Sequence, residues 1–473
     1  MKQRFEPFSY EICLKAVFKY LEHKWSRHDT LCFIEKYSGV PRHEILLAER
    51  FNEYKGAKIE AAEGIALYLQ DVCEDLFRGY EPEEMEPVIE RNIPDGMTGK
   101  IRNVALLCVL HQLLMHVEVE MIRPLLEAKI LPCQHASIPG HGQSGLRDQV
   151  HKYLRTKGLI KVVEKNDVHH AYGTLQYQDL LQILKEEIPA AKEAIILMEY
   201  LGRLAPGGHL IIGGYLDAWA FNLVMSYALR HILTLGQTRR GVFRPYIVRC
   251  SNYMDDTEFF GTSATGVSRA FVTLSVFLQD KHGLSIRETA QTRKLLSISE
   301  ERRRKMLPKP SQRSCPGVDM AGFVVHRSYI TVRPAIFLRA RRAFMRAWIQ
   351  YEKTGSISFK AAQRVDSYSG YFMPGKHKKK KPSDSLFVIK EYHLVELKAL
   401  AAKVKAYYGR REGRLRMEAQ NVYRKSIIEF DSVCGNAGTA GWPKPCYPLQ
   451  RRGGGSNRRR RQLRLQESGV YSA

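Results

Sequence analysis

The stretch Val248-Arg249-Cys250-Ser251-Asn252-Tyr253-Met254-Asp255-Asp256-Thr257-Glu258-Phe259-Phe260 decides how this chain is read. Apolar residues alternate into it at Tyr246, Val248 and Cys250 and resume at Phe259 and Phe260, the pattern of two strands joined by a tight turn. The turn presents two adjacent carboxylates, Asp255 and Asp256. An acidic pair in a turn is most often solvated polar surface. A third carboxylate alters that reading. Asp167 lies 88 residues before Asp255, at the end of a strand-like segment with Ile160, Val162 and Val163. Tyr172 follows it, and then an amphipathic segment with Leu175, Leu180, Leu181 and Leu184. Two strands that bring carboxylates together can hold a pair of Mg²⁺ ions, because hard oxygen donors suit that metal. Two metals about 3.5–4 Å apart stabilise the attacking and leaving oxygens of an in-line phosphoryl transfer. The chemistry suggested is nucleotide addition.

Further stretches fall in order around these carboxylates: Gly99-Lys100-Ile101-Arg102, Ala136-Ser137-Ile138-Pro139-Gly140-His141-Gly142, Lys165-Asn166-Asp167-Val168-His169-His170-Ala171-Tyr172, and His209-Leu210-Ile211-Ile212-Gly213-Gly214-Tyr215 leading to Asn222. Beyond the acidic turn come Gly283-Leu284-Ser285-Ile286 and Gly317-Val318-Asp319-Met320-Ala321-Gly322-Phe323. Taken in sequence they resemble the blocks of bacterial reverse transcriptases, the group of group II intron, retron, diversity-generating and phage-defence enzymes. The resemblance spans residues 96 to 375.

The resemblance implies an α+β fold shaped as a right-hand polymerase. Its parts would be a helical N-terminal extension (1–95), fingers and palm (96–312), a primer-grip hairpin with a helical thumb (313–410) and a basic, disordered C-terminal tail (411–473). It implies catalytic, metal-binding roles for Asp167, Asp255 and Asp256, with the Val168 carbonyl completing one of two Mg²⁺ sites and Mn²⁺ able to substitute. Lys100, Arg102, Tyr172 and Gly213 would bind the incoming dNTP, Tyr172 as a steric gate against the 2′-OH of an rNTP. Ser137, Gly140, Tyr253, Met254, Gly322, Arg339 and Arg342 would contact an RNA template and a DNA or RNA primer. A dedicated structured non-coding RNA or an accessory protein is a further expected partner.

Composition agrees with a polyanionic partner. The chain has 473 residues and a formal charge of +25. Residues 1–95 contain 13 Lys or Arg against 19 Asp or Glu, a balance of −6, so the rest carries +31. The nucleic-acid surface is therefore expected after residue 95. Arg339, Arg341, Arg342 and Arg346 lie among Phe337, Leu338, Phe344 and Trp348, which predicts a helix with one apolar and one basic face. The same pattern also describes an ordinary amphipathic helix with an arginine-rich solvent face. Glu300 to Gln312, with Arg302-Arg303-Arg304-Lys305, reads as a solvated connector, and Lys376-His377-Lys378-Lys379-Lys380-Lys381 as a mobile basic loop. Nine cysteines without a CxxC pair give no zinc framework and no disulfide pattern. Without a signal-like apolar start or a stretch near the ~18 apolar residues of a membrane span, a cytoplasmic protein is expected.

Two departures from the family pattern bear on activity. Asp217-Ala218 stands where relatives carry Ser-Gln or at least Ser beside the nascent base pair. An unpaired carboxylate there would repel phosphates. The lysine that relatives often place near the pyrophosphate has two candidate replacements, Arg287 and Lys294, neither fixed by spacing. A reverse-transcriptase-like RNA-binding scaffold that no longer polymerises is the alternative.

Overall fold

The computed structural model describes residues 4–49, 51, 55–83, 85–94, 101–156, 160–287, 291–307, 315–373 and 382–407. Lys100, the run Lys376 to Lys381 and the tail 411–473 lie outside the described residues. The described chain is mixed α+β, with the strands in small sheets that do not close into a barrel.

The strand Val162–His169 organises the largest sheet. It pairs antiparallel with Asp256–Gly261, which pairs in turn with Arg249–Tyr253, so the predicted hairpin forms around the acidic turn. On its other side the same strand pairs with Ser285–Ile286 near its C-terminal end and with Gln291–Lys294 near its start. Side chains alternate across such a sheet. Phe259 enters one hydrophobic core and Phe260 the other, and each is fully buried. Burying a side chain of this size contributes roughly 1.5–3 kcal/mol. The alternating pattern thus explains why one sheet separates two cores.

The first core joins the N-terminal helices to the sheet. Ser9 caps the helix Tyr10–Leu21 by accepting from Ile12 N–H at 3.4 Å. Its buried residues Ile12, Ala16, Val17 and Tyr20 recur at helical spacing, and those of Lys55–Phe77 do the same. Both helices pack on Val109–Lys129, a helix apolar around most of its circumference and buried accordingly. The same core takes in Tyr177–Glu187, Lys192–Leu204, Tyr215–Thr234 and Ala264–His282. The segment read as an extension before residue 95 therefore shares its core with the region that follows.

The second core lies on the opposite face of the sheet. It gathers the helix Gln143–Arg155, the strands Val318–Met320, Phe323–Val325 and Ile330–Val332, and the helices Pro334–Thr354 and Phe359–Phe372. Arg327 ties this sheet to the first: its guanidinium donates to the carbonyls of Leu296 and Leu154, each at 2.6 Å, and of Ile160. The solvated connector expected from Glu300 onward needs correction. Ile298–Lys305 is a helix with a capping box from Ser297 and Glu300. Glu301 is buried and accepts the backbone N–H groups of Arg327 and Ser328, both at 2.9 Å. Only Arg302, Arg303 and Lys305 of its basic run are exposed.

Candidate active site

Sheet register brings the three carboxylates together. Asp167 lies directly opposite Asp256, and Asp256 opposite Tyr253, so Met254 and Asp255 form the hairpin turn. Val168 N–H donates to the Asp255 carbonyl at 3.1 Å and locks that turn against the central strand. Asp255 is accessible at the tip but enclosed by its surroundings. Loss of water, followed by the charges of Asp256 and Asp167, pushes its carboxyl above the ordinary value, while Arg102 pulls the other way. The other two carboxylates have basic partners. Lys165 Nζ is 2.9 Å from Asp256 Oδ1, and Arg287 Nη1 is 2.9 Å from Asp167 Oδ2. Of the two basic residues left open by spacing, Arg287 reaches the acidic cluster, whereas Lys294 pairs with Val162 at the remote end of the strand. Lys165 carried no signal of its own beyond its place in the strand.

The turn is positioned by a residue the sequence did not single out. Asn252 is fully buried, and its Nδ2 donates within the hairpin to Met254 O at 2.6 Å and Thr257 Oγ1 at 2.9 Å. Its backbone N–H donates to Cys133 O at 2.9 Å, and its carbonyl accepts from His135 N–H at 3.1 Å. These bonds join the loop 133–142 to the acidic hairpin. Asn222 fixes the loop from the other side, its Nδ2 donating to Ala136 O at 3.0 Å. Ser137 and Gly140 are exposed on this loop with φ of 56° and 77°. Gly140 serves the turn without steric cost. Tyr253 and Met254 are half-buried, and Gln143, at the start of the next helix, hydrogen-bonds both Tyr253 and Tyr371.

The region sequence assigned to nucleotide contact assembles beside the turn. Tyr172 stacks on Phe221 with ring centroids 5.7 Å apart, and its hydroxyl donates to Met254 Sδ at 3.7 Å. Burial, then the charges of Asp217 and Asp255, hold that hydroxyl protonated well above its ordinary range. Gly213 is exposed at φ 115°, where a Cβ would meet the Ala105 carbonyl at 3.3 Å. Ala105 N–H donates to Ile212 O at 3.0 Å, which binds this loop to the strand Ile101–Leu106 carrying Arg102.

Asp217 does not face this cleft. It is fully buried in the first turn of Tyr215–Thr234, and its Oδ1 accepts from Ile211 N–H at 2.9 Å and Tyr177 Oη at 3.1 Å. Among the described residues its Oδ2 has no hydrogen-bond partner, and it lies 1.8 Å from where a Cβ on Gly214 would stand. The repulsion expected from sequence is therefore replaced by a structural role: Asp217 ties down the loop that carries Gly213. Burial pushes its carboxyl up to about 7 from 3.8. In that interval the folded chain keeps a proton the unfolded chain has lost, so this group lowers stability as pH rises from about 4 to about 7. Asp217→Asn keeps the Oδ1 acceptor and removes the titration. Its stability relative to the parent is expected to improve by a few kcal/mol, of order 1.4 per pH unit, across that window. Urea melts at pH 4.5 and 7.5 measure this, and a pH-independent difference would show that Asp217 is ionised throughout.

Beyond the carboxylates the same sheet face forms a cavity of about 330 Å³ lined by Lys165, Asp167, Asp256, Arg293, Gly317 and Asp319. Asp319 accepts from Arg333 Nε at 2.6 Å. Gly322 is buried rather than open to a bound strand: a Cβ there would lie 2.4 Å from Tyr371 and 2.9 Å from Ile336. Its absent side chain lets the turn dock on the following helices. Arg339, Arg342 and Arg346 share one stripe of Pro334–Thr354, on a side away from buried Ile336, Ala340, Phe344 and Ala347.

All donors at the acidic turn are carboxylate oxygens, which suits Mg²⁺ or Mn²⁺. Burial and then the like charges of Asp256 and Asp167 raise the Asp255 carboxyl, and a divalent cation would relieve the like-charge part. The fit is chemical rather than a preformed cage: among the described residues no three His, Cys, Asp or Glu side chains are grouped as metal ligands. Comparisons with protein-family models and with curated proteins find no match. Among the described residues no helix is long and apolar enough to cross a membrane.

Proposed function

We propose that this chain is an RNA-directed DNA polymerase of right-hand architecture, adding dNTPs to a primer 3′-OH. The observation that carries the reading is the register that sets Asp167 opposite Asp256 with Asp255 at the adjoining turn. Asp167, Asp255 and Asp256, with the Val168 carbonyl, would hold two Mg²⁺ ions, which supply Lewis-acid stabilisation of the entering and leaving oxygens. Arg102 and Arg287 supply fixed positive charge for a triphosphate beside the acidic turn. Lys165 and Arg287 offset the charges of Asp256 and Asp167 respectively. The exposed loop with Ser137 and Gly140 and the arginine stripe at 339, 342 and 346 offer backbone and cations to a template-primer duplex. Incorporation of labelled dTTP on poly(rA)/oligo(dT) with Mg²⁺ tests the reading. Tight binding of that duplex without any incorporation would overturn it in favour of an RNA-binding scaffold. One observation favours the scaffold: Lys165 and Arg287 pair with two of the three carboxylates.

The Tyr172 ring, held between Phe221 and Met254, would lie where the sugar of the incoming nucleotide rests. Tyr172→Ala is expected to raise rNTP incorporation relative to dNTP at least roughly tenfold, since a filled volume becomes open at a cost of about 1.4 kcal/mol in discrimination. Parallel single-nucleotide additions with dGTP and GTP measure the ratio. An unchanged ratio would make Tyr172 a packing residue only.

A further inference from the structure

Cys133 and Cys250 are 117 residues apart in the chain and touch in the fold, their sulfurs 3.3 Å from one another. Both are buried, at 7% and 3% exposure, and both belong to the first core. The pair borders the candidate active site, whose chemistry makes no use of either thiol. Cys133 opens the loop that carries Ser137 and Gly140, and Cys250 lies on the strand Arg249–Tyr253 that leads into the acidic turn. The two backbones are joined beside the sulfurs, where Asn252 N–H donates to Cys133 O at 2.9 Å and His135 N–H to Asn252 O at 3.1 Å. Solvent is one residue away on each segment: exposed Pro132 precedes Cys133, and exposed Arg249 precedes Cys250.

The two thiols are not equivalent. Cys250 Sγ donates to Cys133 Sγ. That hydrogen bond, helped by the charge of Arg230, holds the Cys133 thiol below its ordinary value against the opposing effect of burial. The same bond, followed by burial, pushes Cys250 well up. The thiolate is the nucleophile in thiol oxidation, so Cys133 is the sulfur that attacks and Cys250 the one that resolves.

We propose that Cys133 and Cys250 form an oxidisable dithiol whose disulfide locks the loop 133–142 against the acidic hairpin and reversibly shuts down the candidate active site. The effect on activity rests on the polymerase reading; the linkage itself does not. With hydrogen peroxide as oxidant, the Cys133 thiolate attacks one oxygen, the O–O bond breaks, hydroxide leaves and Cys133 becomes a sulfenic acid. Cys250 Sγ then attacks that sulfur. The S–S bond forms, the S–O bond breaks, and the departing hydroxide leaves as water with the Cys250 proton. Two thiols and one peroxide thus give one disulfide and two waters. Sulfurs that are only in contact must come about 1 Å closer to bond, and the loop backbone moves with them. That movement reaches the turn through Asn252, whose N–H is held by Cys133 O and whose side chain holds the Met254 carbonyl. In reducing surroundings such a bond is transient, which makes it a switch rather than a permanent staple.

The test uses the full chain, reduced or treated with hydrogen peroxide, then blocked with N-ethylmaleimide and digested with trypsin. Mass spectrometry of the treated parent is expected to find peptides 130–147 and 250–269, each with a single cysteine, joined by a disulfide. Treated Cys250→Ser and Cys250→Ala should lack the joined pair. Hydrogen–deuterium exchange at the His135 and Asn252 amides should slow roughly tenfold in the oxidised parent, because local opening of the loop is suppressed. Primer extension should fall on the order of a hundredfold, return with dithiothreitol, and be unaffected by peroxide in Cys250→Ser, which extends at the parental rate when reduced. Absence of the joined peptides would overturn the proposal, as would joined peptides with unslowed exchange or with parental extension. A loss of extension that dithiothreitol does not reverse, or that Cys250→Ser shares, would assign the effect to another residue and overturn it too. A chain that extends no primer in either state would refute the polymerase reading alone, since the joined peptides and the exchange are read without turnover.

Discussion

Asp255→Asn is expected to lower Mg²⁺-dependent primer extension at least roughly a thousandfold while leaving duplex binding intact. Asn keeps the size and one oxygen of the side chain and removes its charge. Because burial, followed by the charges of Asp256 and Asp167, already disfavours the ionised Asp255 carboxyl, removing that charge relieves desolvation and repulsion. The variant should therefore melt no lower than the parent in EDTA. Mg²⁺ should raise the melting temperature of the parent by mass action, since it binds the folded state alone, and should raise that of the variant less. Extension by the variant at the parental rate would remove Asp255 from the chemistry. A parent that shows no Mg²⁺-dependent shift would remove the metal from this turn.

Asn252→Ala should produce the second large effect, through geometry rather than charge. The side chain is fully buried, and its amide holds the Met254 carbonyl and Thr257 Oγ1. Met254 stands at φ 55°, a conformation a non-glycine residue keeps only when its surroundings hold it there. Losing the amide leaves buried acceptors unpaired at a cost of about 2–4 kcal/mol and lets the turn relax. Displacing reacting groups by about 1 Å costs on the order of a hundredfold in rate. Single-turnover extension and urea unfolding would report both losses together. A variant that is destabilised yet extends at the parental rate would show that the turn keeps its shape without Asn252.

Local pattern carried a good share of this structure. The alternation through Val248 and Cys250 into Phe259 and Phe260 became the two hairpin strands. In the amphipathic segment, Leu180, Leu181 and Leu184 became buried positions of Tyr177–Glu187, and Leu175 lies just ahead of that helix. The apolar run after Leu106 became Val109–Lys129. These features follow from which faces must be buried, and a period of two or of nearly four residues records that in the sequence. Glu300 to Lys305 misled because charged residues dominate that helix, and its single anchor, Glu301, finds its donors on Arg327 and Ser328.

The sequence by itself determined the three carboxylates, their places at strand ends, the Tyr172 that follows and the basic balance after residue 95. Tertiary structure alone decided the rest. It set Arg287 rather than Lys294 against Asp167, brought Lys165 to Asp256, turned Asp217 into the core and buried Gly322 beneath Tyr371. It also merged the N-terminal helices with the sheet's first core. The physical reason is range. A residue's own neighbours fix its strand or helix and the face it shows, but its partner across the sheet or core is set by the packing of segments far apart in the chain, which leaves no local period to read.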